Sequence, residues 1–194
     1  MKQFAFVPLE ACHVKQVRPQ SAQQTVKIDL HDALAAELAA GRAAETLLCD
    51  GFPVACGGLL DEQAGRAKAW TLIGEAMPRA AWPALVERMR TEIGKALDPD
   101  AGWAHRVWAE TVYDWAAGHK LLLHLGMEYE GLTRGTFGRD RHAAIYARVR
   151  GDVAALPIRV RCMNMTAERC LWEDSLGGDV PWPVEQAMRE RRAA

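Results

Sequence analysis

The chain of 194 residues has almost no net charge, a formal −1 at pH 7. That excludes a global electrostatic pull toward nucleic acid or an anionic membrane. No apolar run approaches the roughly 18 residues of a spanning helix. The opening MKQFAFVPLEACH has no apolar core of the signal-peptide kind. A soluble protein made in the cytoplasm is expected, without a membrane partner. Its five cysteines, Cys12, Cys49, Cys56, Cys162 and Cys170, include no Cys-x-x-Cys pair, and their odd number argues against a disulfide framework. They read as free thiols, with Cys49 and Cys56 as core residues on neighbouring strands. No Gly-x-Ser-x-Gly, His-Glu-x-x-His or P-loop pattern occurs, and there is no internal repeat. His119 and His124 lie on different faces of one helix, and His105 and His142 have no ligand spacing, so no metal is expected.

What is present is enough for one well-buried domain: 49% hydrophobic and 25% charged residues. Lys68–Met77 alternates as a strand, with Pro78 stopping it. From Trp82 to Leu97 the period becomes helical: Trp82, Leu85, Val86, Met89, Ile93 and Leu97 share a face, with Glu87, Arg88, Arg90, Glu92 and Lys95 turned away from it. Arg106–Val112 returns to strand character. Asp114 stands where an N-cap belongs, and a second helix through Trp115, Leu121, Leu122 and Leu125 closes at Gly126. Earlier in the chain, Gln3–Val7 reads as a strand, Leu9–Val17 as a short helix, and Ile28–Ala40 as a helix capped by Asp29 or Asp32. Glu45–Cys49 and Pro53–Leu59 flank Asp50-Gly51 as a β-hairpin, and Gly57-Gly58 suggests a bulge or a close approach. His142–Val149 is the last strand of the body. The order β-α-α-β-β-β-α-β-α-β-β predicts an α+β fold with a largely antiparallel sheet and helices on both faces.

The run AAGHKLLLHLGMEYEG, a helix ending in Leu125-Gly126 with a strand at once after it, resembles the C-terminal half of the GNAT (GCN5-related N-acetyltransferase) fold. The resemblance reaches back through DGFPVACGG and forward to HAAIYARV, covering about residues 1–150. It is closest to the GNAT-like proteins of short-tailed bacteriophages, the internal virion protein A group, through Phe6-Val7-Pro8 and His13. In working members of the family the loop after the fourth strand reads Q/R-x-x-G-x-G/A and holds the acetyl-CoA pyrophosphate, as successive amides at a helix start can. Here the matching residues are Met77-Pro78-Arg79-Ala80-Ala81-Trp82, with no glycine and one amide donor removed by Pro78. Arg79, Ala80 and Ala81 are the remaining candidates for that cofactor. The family's tyrosine acid corresponds to Leu122, which has no proton to give. Glu75 and Glu110 occupy regions where this fold often keeps a general base.

Two functions stay open. The leading expectation is a phage-encoded structural or accessory virion component that uses no cofactor; the alternative is an acetyl-CoA-dependent N-acyltransferase with an atypical pyrophosphate loop. Residues 151–194 form an extension to the 1–150 domain. In it Pro157–Met163 alternates as an added strand, Leu176–Asp179 turns, and Val184–Arg192 is a short charged helix. Trp172 and Trp182 have too few apolar neighbours for a core of their own. With Arg189 they are candidates for contacts with other virion chains or for self-association. The same segment could instead wrap its own domain.

Overall fold

Asp50 and Gly51 both take positive φ, 51° and 82°, and so reverse the chain tightly between two strands. Around this hairpin the structure, a computed structural model, describes residues 3–24, 32–137 and 141–151. In chain order the elements are β1 (Phe4–Pro8), α1 (Ala11–Gln16), α2 (Ser21–Gln24), α3 (Asp32–Ala39), β2 (Arg42–Cys49), β3 (Phe52–Glu62), β4 (Arg66–Ile73), α4 (Trp82–Ala96), β5 (Arg106–Val112), α5 (Ala116–His124), β6 (Glu128–Thr133) and β7 (Ala143–Val149). The strands hydrogen-bond in the order β1-β2-β3-β4-β5-β7-β6, giving the expected α+β fold with a largely antiparallel, helix-flanked sheet. The chain divides into two compact units, Met1–Val107 and Trp108–Ala194.

In the first unit the pleat sorts side chains by register. Thr46 pairs with Cys56 and Cys56 with Leu72. Cys56 and Leu72 join a core with Leu9, Val14, Val17, Ala35 and Leu38, from and around α1 and α3. Leu47, Ala55 and Ile73, one step along, face the other way, and α4 brings Leu85 and Ile93 to that side. The bulge foreshadowed by Gly57-Gly58 lies on the partner strand: the register slips between Arg42 and Glu45, where Ala43 has φ 51°. A side chain at Gly58 would sit 2.9 Å from the Ala44 Cα, which explains the glycine.

In the second unit, α5 is closed by Gly126, φ 77°, just past its C-cap Leu125, as expected. Tyr146 of β7 is fully buried and meets the Tyr129 ring of β6 edge-on, centroids 5.5 Å apart.

Several boundaries differ from expectation. β4 ends at Ile73, because the chain turns at Gly74, whose carbonyl accepts the Met77 N–H. The residue capping α5 is Trp115; Asp114 is instead exposed, 3.6 Å from Arg141. Arg88 and Glu92 are half-buried, although the helical period turned them outward. Asp29 and residues 152–194, with Pro157–Met163, Trp172, Trp182 and Arg189, lie outside the described residues.

Candidate functional site

The stretch from the end of β4 to the start of α4 carries the three cofactor candidates and one of the two general-base candidates. Glu75, Arg79 and Ala80 are exposed on this turn, and Ala81 is buried beneath it. The chain passes through one short 3-10 turn, Arg79–Ala81, in which Ala81 N–H donates to the Pro78 carbonyl and Trp82 N–H to that of Arg79. The 15-residue α4 then begins with no side-chain cap and no acidic residue in its first turn. Its first turn therefore sets no side-chain cap or acidic residue against the positive end of the helix dipole, and Arg79 is exposed three residues before α4 begins.

The connection after α1 is fastened along β4, which sequence reasoning did not foresee. Gln20 N–H donates to Ile73 O at 2.9 Å, and Glu75 N–H donates to Arg18 O at 2.9 Å. Pro19 and Gly74 form a bridge between these two bonds. The Gln23 carboxamide completes the strand-like pattern: its Oε1 accepts from Ile73 N–H, and its Nε2 donates to Thr71 O, both at 2.9 Å. Gln24 Nε2 donates to Glu75 Oε1 at 2.8 Å, holding the carboxylate at the edge of the turn. Three glutamines in Gln20–Gln24 are the sequence signal, but a carboxamide pairs anywhere, so only the fold reveals its partner.

Beneath α4 lies a cavity of about 50 Å³, lined by Phe6, Leu47, Ala55, Leu85, Met89 and Ile93. Its rim is ionic. Arg88 Nε donates to Glu45 Oε2 at 2.6 Å while Nη2 donates to Oε1, and Arg88 Nη1 lies 3.5 Å from Glu92. The hydrogen bond to Glu45 raises the Arg88 pKa further, outweighing the lowering by burial, and the charges of Glu45 and Glu92 add to the rise. Arg88 and Glu92 thus fold over an apolar slot, while Glu87, Arg90 and Lys95 stay exposed.

In the second unit, Glu110 is half-buried on β5, and its neighbour Thr111 has a buried hydroxyl with no hydrogen-bond partner among the described residues. Leu122, at the position of the family's tyrosine, is 7% exposed and packs as core. His119 has both ring nitrogens engaged, with the Tyr146 hydroxyl and the Tyr113 carbonyl. In the first unit Cys49 and Cys56 are buried free thiols on adjacent strands, as expected, and burial pushes the Cys56 thiol up to about 12.

No protein-family model and no curated protein matches the sequence. Solved structures do. The ribosomal-protein-S18-alanine N-acetyltransferase of Escherichia coli is similar at TM-score 0.54 and 18% identity, over 86% of this chain and 99% of that one. Ard1 from Thermoplasma volcanium matches at TM-score 0.56 and 12% identity, over 75% and 97%. The GNAT-family acetyltransferase from Bacillus anthracis matches at TM-score 0.54 and 10% identity, over 76% and 95%. The fold is that of the GNAT acetyltransferases.

Proposed function

We propose that this protein is an N-acyltransferase that takes its acyl group from an acyl-CoA such as acetyl-CoA. The observation that carries the reading is the N-terminus of α4, which has no side-chain cap and no acidic residue in its first turn, preceded by the exposed Arg79 in the 3-10 turn that leads into it. The similar solved structures of acetyltransferases support it over a role without chemistry. The phage-virion reading rests on the opening residues and on 151–194, and the similar structures offer it no support.

The donor set of the turn fits the diphosphate of such a cofactor. It presents an exposed arginine, the N–H groups of Arg79 and Ala80, which have no hydrogen-bond partner among the described residues, and a helix start with no acidic residue in its first turn. Pro78 and Pro83 each remove one amide donor, so Arg79 carries more of the attraction than a glycine-rich loop would ask of a side chain. When bound, the cofactor supplies an acyl group activated as a thioester. Glu75, exposed and held by Gln24, can take the proton that an acceptor ammonium must lose before it attacks. Leu122 offers no proton, so no acid acts from that position.

Calorimetric titration of the full chain with acetyl-CoA tests the reading. A dissociation constant at or below about 10 μM, about 7 kcal/mol of binding, is expected. Arg79→Ala should weaken it about tenfold, a loss of about 1.4 kcal/mol. Absence of binding at several hundred micromolar in folded protein would overturn the proposal.

A further inference from the structure

On the first turn of α1, three metal-ligating side chains of different chemistry converge outside the region described above. Glu10, Cys12 and His13 each offer a ligand atom, and these atoms all lie within 4.8 Å of one another. Cys12 Sγ already points its proton at Glu10 Oε2, 3.5 Å away. A tetrahedral zinc with a sulfur at about 2.3 Å and a carboxylate oxygen at about 2.0 Å would hold those two atoms about 3.5 Å apart. A metal ion can therefore sit between them with little movement.

The histidine is held from behind. His13 Nδ1 lies 3.0 Å from the hydroxyl of Thr46, a fully buried residue of β2, while the ring is only half-buried. In the proposed site Nε2 would be the ligand atom, since Nδ1 is already shared by Thr46 Oγ1 and the Glu10 N–H. With a metal on Nε2, Nδ1 carries the proton and donates it to Thr46 Oγ1, the kind of outer partner that fixes a ligand's tautomer. Without metal, the Glu10 N–H also reaches Nδ1, at a long 3.3 Å, and that bond is given up.

We infer that Glu10, Cys12 and His13 form a binding site for a divalent transition-metal ion of the zinc class. The mixed S, N, O set suits zinc or cobalt and not calcium or magnesium, which take oxygen ligands. On binding, the Cys12 thiol loses its proton to solvent, the thiolate, the Glu10 carboxylate and the His13 imidazole each donate an electron pair to the metal, and water fills the fourth position. The site would tie the start of α1 to β2 through His13 and Thr46. Scattered as Glu-x-Cys-His, the three residues make no recognised spacing, which is why the sequence pointed to no metal.

The test is a titration of the reduced, metal-stripped full chain with cobalt(II), followed by absorption. One equivalent should bind with a thiolate-to-cobalt charge-transfer band, which added zinc then abolishes. Cys12 is exposed, so Cys12→Ser will fold; it should remove the band and weaken binding at least tenfold. His13→Gln, checked for folding by circular dichroism, should weaken binding at least tenfold while keeping a thiolate band at saturation. Either no band in the folded wild-type chain, or a band that survives Cys12→Ser because another cysteine supplies it, would overturn the inference.

Discussion

His119 Nδ1 and the Tyr146 hydroxyl meet at 2.8 Å inside the second unit, both residues fully buried. The other ring nitrogen, Nε2, is 2.7 Å from the Tyr113 carbonyl, which can only accept. Nε2 therefore carries the single proton, and Nδ1 accepts from Tyr146. A buried imidazole is tolerated here because it is neutral and both its polar atoms are satisfied.

Acid should undo that arrangement. Burial, against weaker help from the Tyr113 carbonyl and Asp114, lowers the His119 pKa below its ordinary value. The unfolded chain thus takes up the proton first as pH falls. The stabilisation is complete above about pH 6.5 and is lost as pH drops from there toward the lowered folded pKa. Urea unfolding from pH 7.5 to 5 should show stability falling, and His119→Gln should flatten that slope. An equal slope in both proteins would exclude His119 as the cause.

Tyr146→Phe removes the donor to His119 Nδ1 and leaves that buried atom without a partner among the described residues. A loss of about 1–3 kcal/mol is expected, with little change at the exposed control Lys120→Ala. Equal unfolding midpoints for Tyr146→Phe and the wild type would show that the bond contributes nothing.

Gly118 has no room for a methyl group. A Cβ there would stand 2.1 Å from Thr111 Oγ1 and 2.6 Å from the Trp115 ring. Gly118→Ala usually strengthens a helix by up to about 1 kcal/mol, but here overpacking should dominate and cost about 1–3 kcal/mol. Thermal melting of the single variant decides the sign.

On α4, Leu85 and Ile93 are buried and Lys95 is exposed. Leu85→Ala or Ile93→Ala should cost about 2–5 kcal/mol, and Lys95→Ala less than about 0.5. Glu45→Ala lies between, about 1 kcal/mol, because Arg88 at 38% exposure keeps access to water when its partner is lost. Chemical denaturation of the set should return that ranking; Glu45→Ala as costly as Leu85→Ala would mean the ion pair is effectively buried.

Periodicity was enough for the body of the fold. The 3.6-residue recurrence of Leu85, Met89 and Ile93 placed α4, the alternation of Arg106–Val112 placed β5, and Asp50-Gly51 placed the hairpin between β2 and β3. These are local signals, each set by which face of a short element meets water. The candidate turn was legible as well, since Pro78 and Arg79 are neighbours in the chain and a helix start follows them.

The rest depends on which distant residues meet. Arg88 and Glu92 share the polar side of α4 by period, yet Arg88 reaches Glu45 on β2, with Glu92 beside it, at the rim of the cavity. Gln23 finds the β4 backbone 50 residues away, and His119 finds Tyr146 27 residues away. Glu10, Cys12 and His13 come together because the turn into α1 aims them at one point while Thr46 holds the ring. Sequence by itself determined the order and faces of the elements, because those follow from local periodicity and from where the backbone can turn. Only the tertiary structure decided the pairing of polar groups, because a carboxylate, carboxamide or imidazole can bond to many partners and the fold alone sets which one lies within 3 Å.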